Sequence, residues 1–238
     1  MGQQIILLYK YMNIVAIIPA RSGSKSIKNK NIIKYKKKPL IYHSINIALK
    51  SKLIDRVIVS TDSKKYEDIS KKSGAEVPFL RPRKLSADNS NDSGWINHVI
   101  NYLIQKEKYY PHYIVHLRPT SPNRDLKTLN MGIKWFLKNK DKCTSMRSVS
   151  NFSHPPQKLF QIKKNFLTGF FNDKYKDEYH SRPRQDYPKT YLPNGYIDIL
   201  KTNYILRNKK IYGNKILSFV TDPILDIDTK QDLNNSAI

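Results

Sequence analysis

The chain has a single cysteine, Cys143, among 238 residues. One thiol makes no intrachain disulfide and no cysteine-cluster metal site, so a divalent metal would have to take carboxylate oxygens. The same scarcity fits a reducing compartment, and a cytoplasmic location is expected. Long hydrophobic runs are missing too: nothing approaches the roughly 20 apolar residues of a membrane span, and mean hydropathy is −0.60. The apolar stretch at residues 5–8 has neither a basic leader nor a small-residue cleavage site, so no signal peptide is expected. Met12 directly precedes the first strong strand pattern, which marks residues 1–12 as an N-terminal extension. Acidic side chains are few, 19 against 43 basic ones, for a formal charge of +24. Such a balance invites nucleic acid as a partner. The basic residues are spread rather than striped, however, and there is no aromatic-plus-basic platform or recognition helix. Compositional drift combined with an anionic small substrate is the stronger expectation, with neither a nucleic-acid nor a membrane partner.

Short, continuous apolar runs alternate with helical patterns. Residues 13–19 and 55–61 read as buried strands of a parallel sheet, and a third strand is expected at 77–80. A lysine-rich stretch with one glycine follows the first strand, and Pro39 then opens a helix with Leu40, Ile41, Ser44, Ile45, Ala48 and Leu49 on one face. Helices are expected at 92–109 and 125–138, on either side of a strand at 113–117. This alternation predicts an α/β sheet. After Cys143 the pattern changes. Residues 151–193 are rich in proline, tyrosine and arginine, with a strand-like piece at 158–162, and read as a β-rich insertion within a single domain spanning 13–238. Strands at 195–200 and 216–220 and a closing helix at 229–237 complete the expectation.

Four segments carry candidate chemistry. Pro19-Ala20-Arg21-Ser22-Gly23-Ser24-Lys25 ends the first strand, where ligands of open α/β sheets bind. Gly23 lets backbone amides approach an anion, Ser22 and Ser24 add hydroxyls, and Arg21 and Lys25 add charge. The spacing is not that of a Walker A loop, and an ordinary basic surface loop is the alternative. Asp226-Ile227-Asp228 puts two carboxylates two apart on an extended chain, facing the same way. They suit a hard cation such as Mg²⁺, which takes one or two carboxylates together with substrate phosphates; a helix cap by Asp228 is the competing role. Leu117-Arg118-Pro119-Thr120-Ser121-Pro122 is a stiff loop after a strand, positioning a hydroxyl pair or merely entering a helix. In Ser181-Arg182-Pro183-Arg184-Gln185-Asp186 the arginines either grip a carboxylate or are solvated, and Asn194-Gly195 is a turn signal.

Together these segments resemble the acylneuraminate cytidylyltransferases (CMP-sialic acid synthetases). The opening run with Lys30-Asn31-Ile32, then Val57-Ile58-Val59-Ser60-Thr61-Asp62, Glu76-Val77-Pro78-Phe79-Leu80-Arg81-Pro82, Pro119-Thr120-Ser121-Pro122, Asn194-Gly195 and Asp226-Ile227-Asp228-Thr229 occur in that family's order across residues 13–236. The resemblance implies a three-layer, Rossmann-like nucleotide-diphosphosugar transferase fold with a mostly parallel central sheet, and a homodimer built through the insertion. It implies transfer of CMP from CTP to an acidic nine-carbon keto-acid sugar. Arg21 and Lys25 would hold the triphosphate, within a nucleotide loop that includes Ser22, Gly23 and Ser24. Asn31 and Arg81 would read cytosine beside Ser86 and Asp88, and Asp226 and Asp228 would bind Mg²⁺. Thr120, Ser121 and Asn194 would face the sugar, and Lys158 and Arg184 would grip its carboxylate. Arg118 stands where the family often has glutamine, which points to a sugar other than N-acetylneuraminate, legionaminic acid among them. Ser26-Ile27-Lys28 replaces a stretch that often carries proline. An eight-carbon acid sugar is the nearest rival substrate, and a basic nucleic-acid binder is the rival of a different class.

Overall fold

The computed structural model describes residues 12–171 and 178–235. All of the expected extension at 1–12 except Met12, and the last residues of the expected closing helix, lie outside them. Ten strands occur in chain order: β1 (Ile14–Pro19), β2 (Lys34–Tyr35), β3 (Lys38–Pro39), β4 (Arg56–Ser60), β5 (Tyr113–His116), β6 (Ser145–Phe152), β7 (Phe160–Lys163), β8 (Phe166–Gly169), β9 (Thr190–Lys201) and β10 (Ile216–Val220). Six α-helices accompany them: α1 (Leu40–Lys50), α2 (Lys64–Lys72), α3 (Asp92–Lys106), α4 (Leu126–Asn139), α5 (Thr202–Asn208) and α6 (Lys230–Asn235).

The central sheet has the order β10-β6-β9-β5-β1-β4. β1 pairs in parallel with β4 and β5, and β10 with β6; β9 runs antiparallel between β5 and β6. Alternation along β1 separates two cores. Ile14, Ala16 and Ile18 pack with Ile41 and Ile45 of α1 and Leu129, Ile133 and Phe136 of α4. Val15 and Ile17 face the opposite side, against Trp95, Ile96, Val99 and Ile100 of α3 and Ile205 of α5. A sheet apolar on both faces needs helices on both, which gives the expected three layers. Among the described residues no helix is long and apolar enough to cross a membrane.

Three local expectations are corrected. Residues 77–80 form no strand: only the isolated bridges Ile58↔Glu76 and Thr61↔Leu80 join that segment to the edge of the sheet, because Pro78 has no N–H to donate. The strand piece expected at 158–162 begins only at Phe160, after a 3₁₀ turn at Pro156–Lys158, and pairs as the β7–β8 hairpin. Asn194-Gly195 is no hairpin turn. It lies within β9, where Gly195 takes φ +69°.

That glycine belongs to a wide bulge. Arg147 pairs with Asp198 and Val149 with Pro193, so Ser148 alone stands opposite residues 194–197. The donors released by the bulge find side chains: Ile197 N donates to Ser148 Oγ (2.9 Å) and Tyr196 N to Asn194 Oδ1 (3.2 Å). Bulges bend a strand and re-aim its neighbours, and this one sits beside the cleft described next.

Candidate active site

A cleft of about 400 Å³ opens beyond the carboxyl ends of β1 and β5. Arg21, Lys30, Arg81, Arg118 and Arg147 line it along with the carboxylates of Asp92, Asp226 and Asp228. Ser24, Asn31, Thr120 and Gly195 also face it, so segments far apart in sequence meet at one sheet edge.

The loop after β1 is held from β4. Asp62 accepts from Ser22 N (2.8 Å) and Ser22 Oγ (2.9 Å), and Asn31 Nδ2 donates to the Arg21 carbonyl (3.0 Å). A Cβ added at Gly23 would meet nothing within 4 Å, so the space above the loop is open. Asp88 receives both loop cations, Arg21 Nη1 and Lys25 Nζ, each at 2.6 Å. These partners, Lys25 first, hold its carboxyl below the usual range. Lys25 is itself 80% exposed and stands at the rim rather than among the lining residues. Ser86 offers its carbonyl to Arg21 (3.4 Å), while its buried Oγ has no partner among the described residues.

Arg81 is almost fully buried. It donates to Ser60 Oγ (3.0 Å) and the Ser60 carbonyl (2.6 Å) and lies over the Trp95 ring at 5.1 Å. Burial lowers its pKa to about 10, which leaves it charged near neutrality.

Asp226 and Asp228 are exposed on either side of buried Ile227, whose N–H donates to the Thr120 carbonyl (2.8 Å). That alternation is what an extended chain requires. The capping of α6 falls to other residues: Thr229 Oγ1 accepts from Asp232 N (3.2 Å), and Asp232 Oδ2 accepts from Thr229 N (2.7 Å) and Asp228 N (3.0 Å). The Asp228 carboxylate is therefore not used as a cap, and it pairs with Lys30 Nζ at 2.6 Å. Two hard oxygen donors across from a loop that carries Arg21, Ser22, Ser24 and Lys25 fit a magnesium ion whose remaining ligands come from phosphate and water. Among the described residues no group of three or more His, Cys, Asp or Glu side chains could hold a metal unaided.

On the other side of the cleft, Arg118 Nη2 donates to Asp92 Oδ2 at 3.2 Å. Asp125, nearer to Arg118 along the chain, instead caps α4 at Thr128 N (2.8 Å) and accepts from the Tyr196 hydroxyl (2.8 Å). Ser121 is fully buried behind Gly195 and does not line the cleft. Asn194 directs its amide to Thr221 Oγ1 (2.7 Å). Lys158, over the Tyr187 ring at 5.9 Å, and Arg184, in a separate cavity of about 590 Å³, lie in the insertion and are not brought to the cleft.

The motifs did not single out Arg124, Arg147, Asp198, Asp92 or Trp95 for these roles. For Asp198 a signal existed: a carboxylate inside the apolar run Tyr196-Ile197-Asp198-Ile199-Leu200 needs a partner once buried. It receives Arg147 Nε (3.3 Å) and the Tyr212 hydroxyl (2.8 Å). His116 Nδ1 stands 3.9 Å from Asp198 Oδ2, and burial pushes the imidazole down to about 4. The ring is thus neutral at ordinary pH and makes no ion pair there.

A family model described as Cytidylyltransferase matches residues 15–154. Over 221 residues the chain is 33% identical to an N-acylneuraminate cytidylyltransferase of Escherichia coli O18:K1:H7; the match covers 92% of this chain but 50% of that relative, so the chain spans half its length. Over 229 residues it is 32% identical to a pseudaminic acid cytidylyltransferase of Campylobacter jejuni, covering 95% and 96% of the two chains. Among solved structures, a CMP:2-keto-3-deoxy-manno-octonic acid synthetase complexed with CTP superposes with a TM-score of 0.68 over 94% of this chain and 96% of that one. At 14% identity that likeness speaks for the fold alone.

Proposed function

The chain belongs to the cytidylyltransferase family and is a nucleotidyltransferase, and from that premise we propose that it transfers CMP from CTP to the anomeric hydroxyl of a nonulosonic acid. The observation that carries this reading is one cleft in which a basic, serine-bearing loop (Arg21, Ser24), a paired carboxylate (Asp226, Asp228) and a second, arginine-lined half (Arg118, Arg147) meet.

The sugar hydroxyl oxygen forms a bond to the α-phosphorus, the bond from that phosphorus to the α–β bridging oxygen breaks, and the electron pair leaves with pyrophosphate while the hydroxyl loses its proton. Catalysis by this chain is mostly positioning and charge neutralisation. Arg21 and Lys25 reach the triphosphate by exchanging Asp88 for phosphate oxygens, and Asn31 fixes the loop's backbone from below. Arg81, fixed by Ser60 and Trp95, presents its remaining donor edge to the base. Asp226 and Asp228 would hold a magnesium ion, which when bound supplies positive charge against the phosphate oxygens. Arg118 and Thr120 face the acceptor. A homodimer belongs to the same proposal: the β7–β8 hairpin leaves Ile162 75%, Phe166 75% and Leu167 68% exposed, an apolar surface that a second copy would cover.

The test is pyrophosphate release with CTP, UTP, ATP and GTP against nonulosonic and eight-carbon keto-acid sugars. Release confined to CTP with a nonulosonic acid is expected. Turnover of the eight-carbon sugar alone would replace the substrate assignment.

A further inference from the structure

The part of the cleft farthest from β1 is built around Arg147. Strand order places β6 three strands from β1, roughly 14 Å at about 4.8 Å per strand. Arg147 is therefore on the acceptor side and not on the phosphate side. It flanks the β6–β9 bulge, and its guanidinium is fixed twice. Nε donates to Asp198 Oδ1 at 3.3 Å, and the group stacks 4.4 Å from the centre of the Tyr212 ring. Tyr212 in turn donates to Asp198 Oδ2 at 2.8 Å, closing a three-residue unit on a carboxylate only 3% exposed. The Nη1 and Nη2 donors of Arg147 have no partner among the described residues, and the side chain lines the cleft.

Charge decides what those donors suit. Arg147 is matched by Asp198 and Arg118 by Asp92. The unmatched cation of these walls, Arg124, is buried with its donors on the Tyr196, Gly195 and Arg118 carbonyls, so the N–H donors left for a ligand belong to arginines whose charge is already paired. A second carboxylate on the ligand would have to be desolvated with no unpaired guanidinium free to meet it. An uncharged, strongly accepting oxygen, the carbonyl of an acylamido group, is not penalised in that way. A site built to hydrogen-bond such a group rejects the analogue lacking it, because its own donors are then left unpaired.

We propose that Arg147 is a specificity-determining residue that reads an acylamido oxygen on the part of the acceptor sugar distal to the reacting hydroxyl, with Asp198 and Tyr212 as its positioning residues. The proposal rests on the reading of the chain as a CMP transferase to nonulosonic acids, and deepens it by naming the substituent.

The experiment compares pyrophosphate release at saturating CTP with N-acetylneuraminate, which carries one acylamido group, and with N,N′-diacetyllegionaminic acid, which carries a second in its exocyclic part. Arg147→Gln is expected to lower kcat/KM for the diacylated sugar at least about tenfold more than for N-acetylneuraminate, equivalent to about 1.4 kcal/mol, with the KM for CTP unchanged. Arg147→Lys keeps the charge without the fork and should not restore the preference. Tyr212→Phe keeps the stacked ring and removes only the hydroxyl; it should raise the KM for the diacylated sugar and leave kcat in place. Melting temperature and calorimetric CTP binding check that each variant is folded. Equal losses on both sugars in folded variants, or a raised KM for CTP, overturn the role of Arg147. A wild-type enzyme that turns over no nonulosonic acid overturns the function itself and this inference with it; wild-type turnover of nonulosonic acids with a sugar preference that Arg147→Gln leaves unchanged overturns only the inference.

Discussion

The guanidinium of Arg124, 7% exposed, donates to the Gly195 carbonyl at 2.7 Å and to the Tyr196 carbonyl at 2.6 Å. The same group reaches the Ser121 carbonyl, the Arg118 carbonyl (3.0 Å) and Ser44 Oγ (2.9 Å). One buried cation thereby satisfies the acceptors of the β9 bulge and those of the loop after β5, and locks together two walls of the cleft. Arg124→Met removes every donor and leaves those carbonyls buried. A loss of at least about 1–3 kcal/mol, the cost of one such buried carbonyl left unsatisfied, is expected, read as a fall in Tm of about 2–4 °C for each kcal/mol in a chain of this size. An unchanged Tm would show that the two walls hold without it.

Asp228 is expected to matter for rate and not for folding. Its carboxylate is exposed, is not the cap of α6, and makes only the pair with Lys30. Asp228→Ala should cost turnover about 100-fold or more, since several kcal/mol of charge stabilisation go with a metal ligand, while Tm stays near that of the wild type. A normal rate at saturating Mg²⁺ would remove Asp228 from the metal site.

Much of this fold was legible in the sequence. The strands at 14–19, 56–60 and 113–116 are short apolar runs, and the helices α1, α3 and α4 show their periodicity. Asp226 and Asp228 could be paired because two residues on an extended chain need only local geometry. Arg124, Arg147 and Asp198 could not be placed in the same way. Arg124 meets its bulge carbonyls across 71 and 72 residues, and Arg147 meets Asp198 across 51. No local period encodes such contacts, and the Asn-Gly signal was overridden by the pairing of β9 along β6.

Arg118 is expected to set the choice of sugar, not of nucleotide. Its carbonyl is fixed by Arg124 and its guanidinium by Asp92, with Pro119 stiffening the backbone after it. For Arg118→Gln the ratio of specificity constants between N-acetylneuraminate and legionaminic acid should move about tenfold or more. Equal effects on both sugars would make Arg118 a brace for the loop.

Acid should destabilise the protein through His116. Burial holds the folded-state pKa near 4, below the ordinary 6.5, with Asp198 and Asp92 opposing that burial and Arg118 and Arg124 reinforcing it. The folded state refuses a proton that the unfolded chain takes up, so this contribution is complete above pH 6.5 and is lost as pH falls towards 4. The slope for one proton is at most about 1.4 kcal/mol per pH unit. His116→Phe should shrink the difference in urea-unfolding free energy between pH 7.5 and 5.5; an undiminished difference would place the acid sensitivity elsewhere.

The central claim is CTP-dependent transfer of CMP to a nonulosonic acid, and ³¹P NMR of the reaction mixture tests it most directly. With enzyme, Mg²⁺, CTP and a nonulosonic acid, the triphosphate resonances should give way to equal amounts of a sugar-linked phosphodiester and pyrophosphate, with no change when the sugar is left out. CTP breakdown to free CMP independent of the sugar, or no phosphodiester with any nonulosonic acid, would contradict the account.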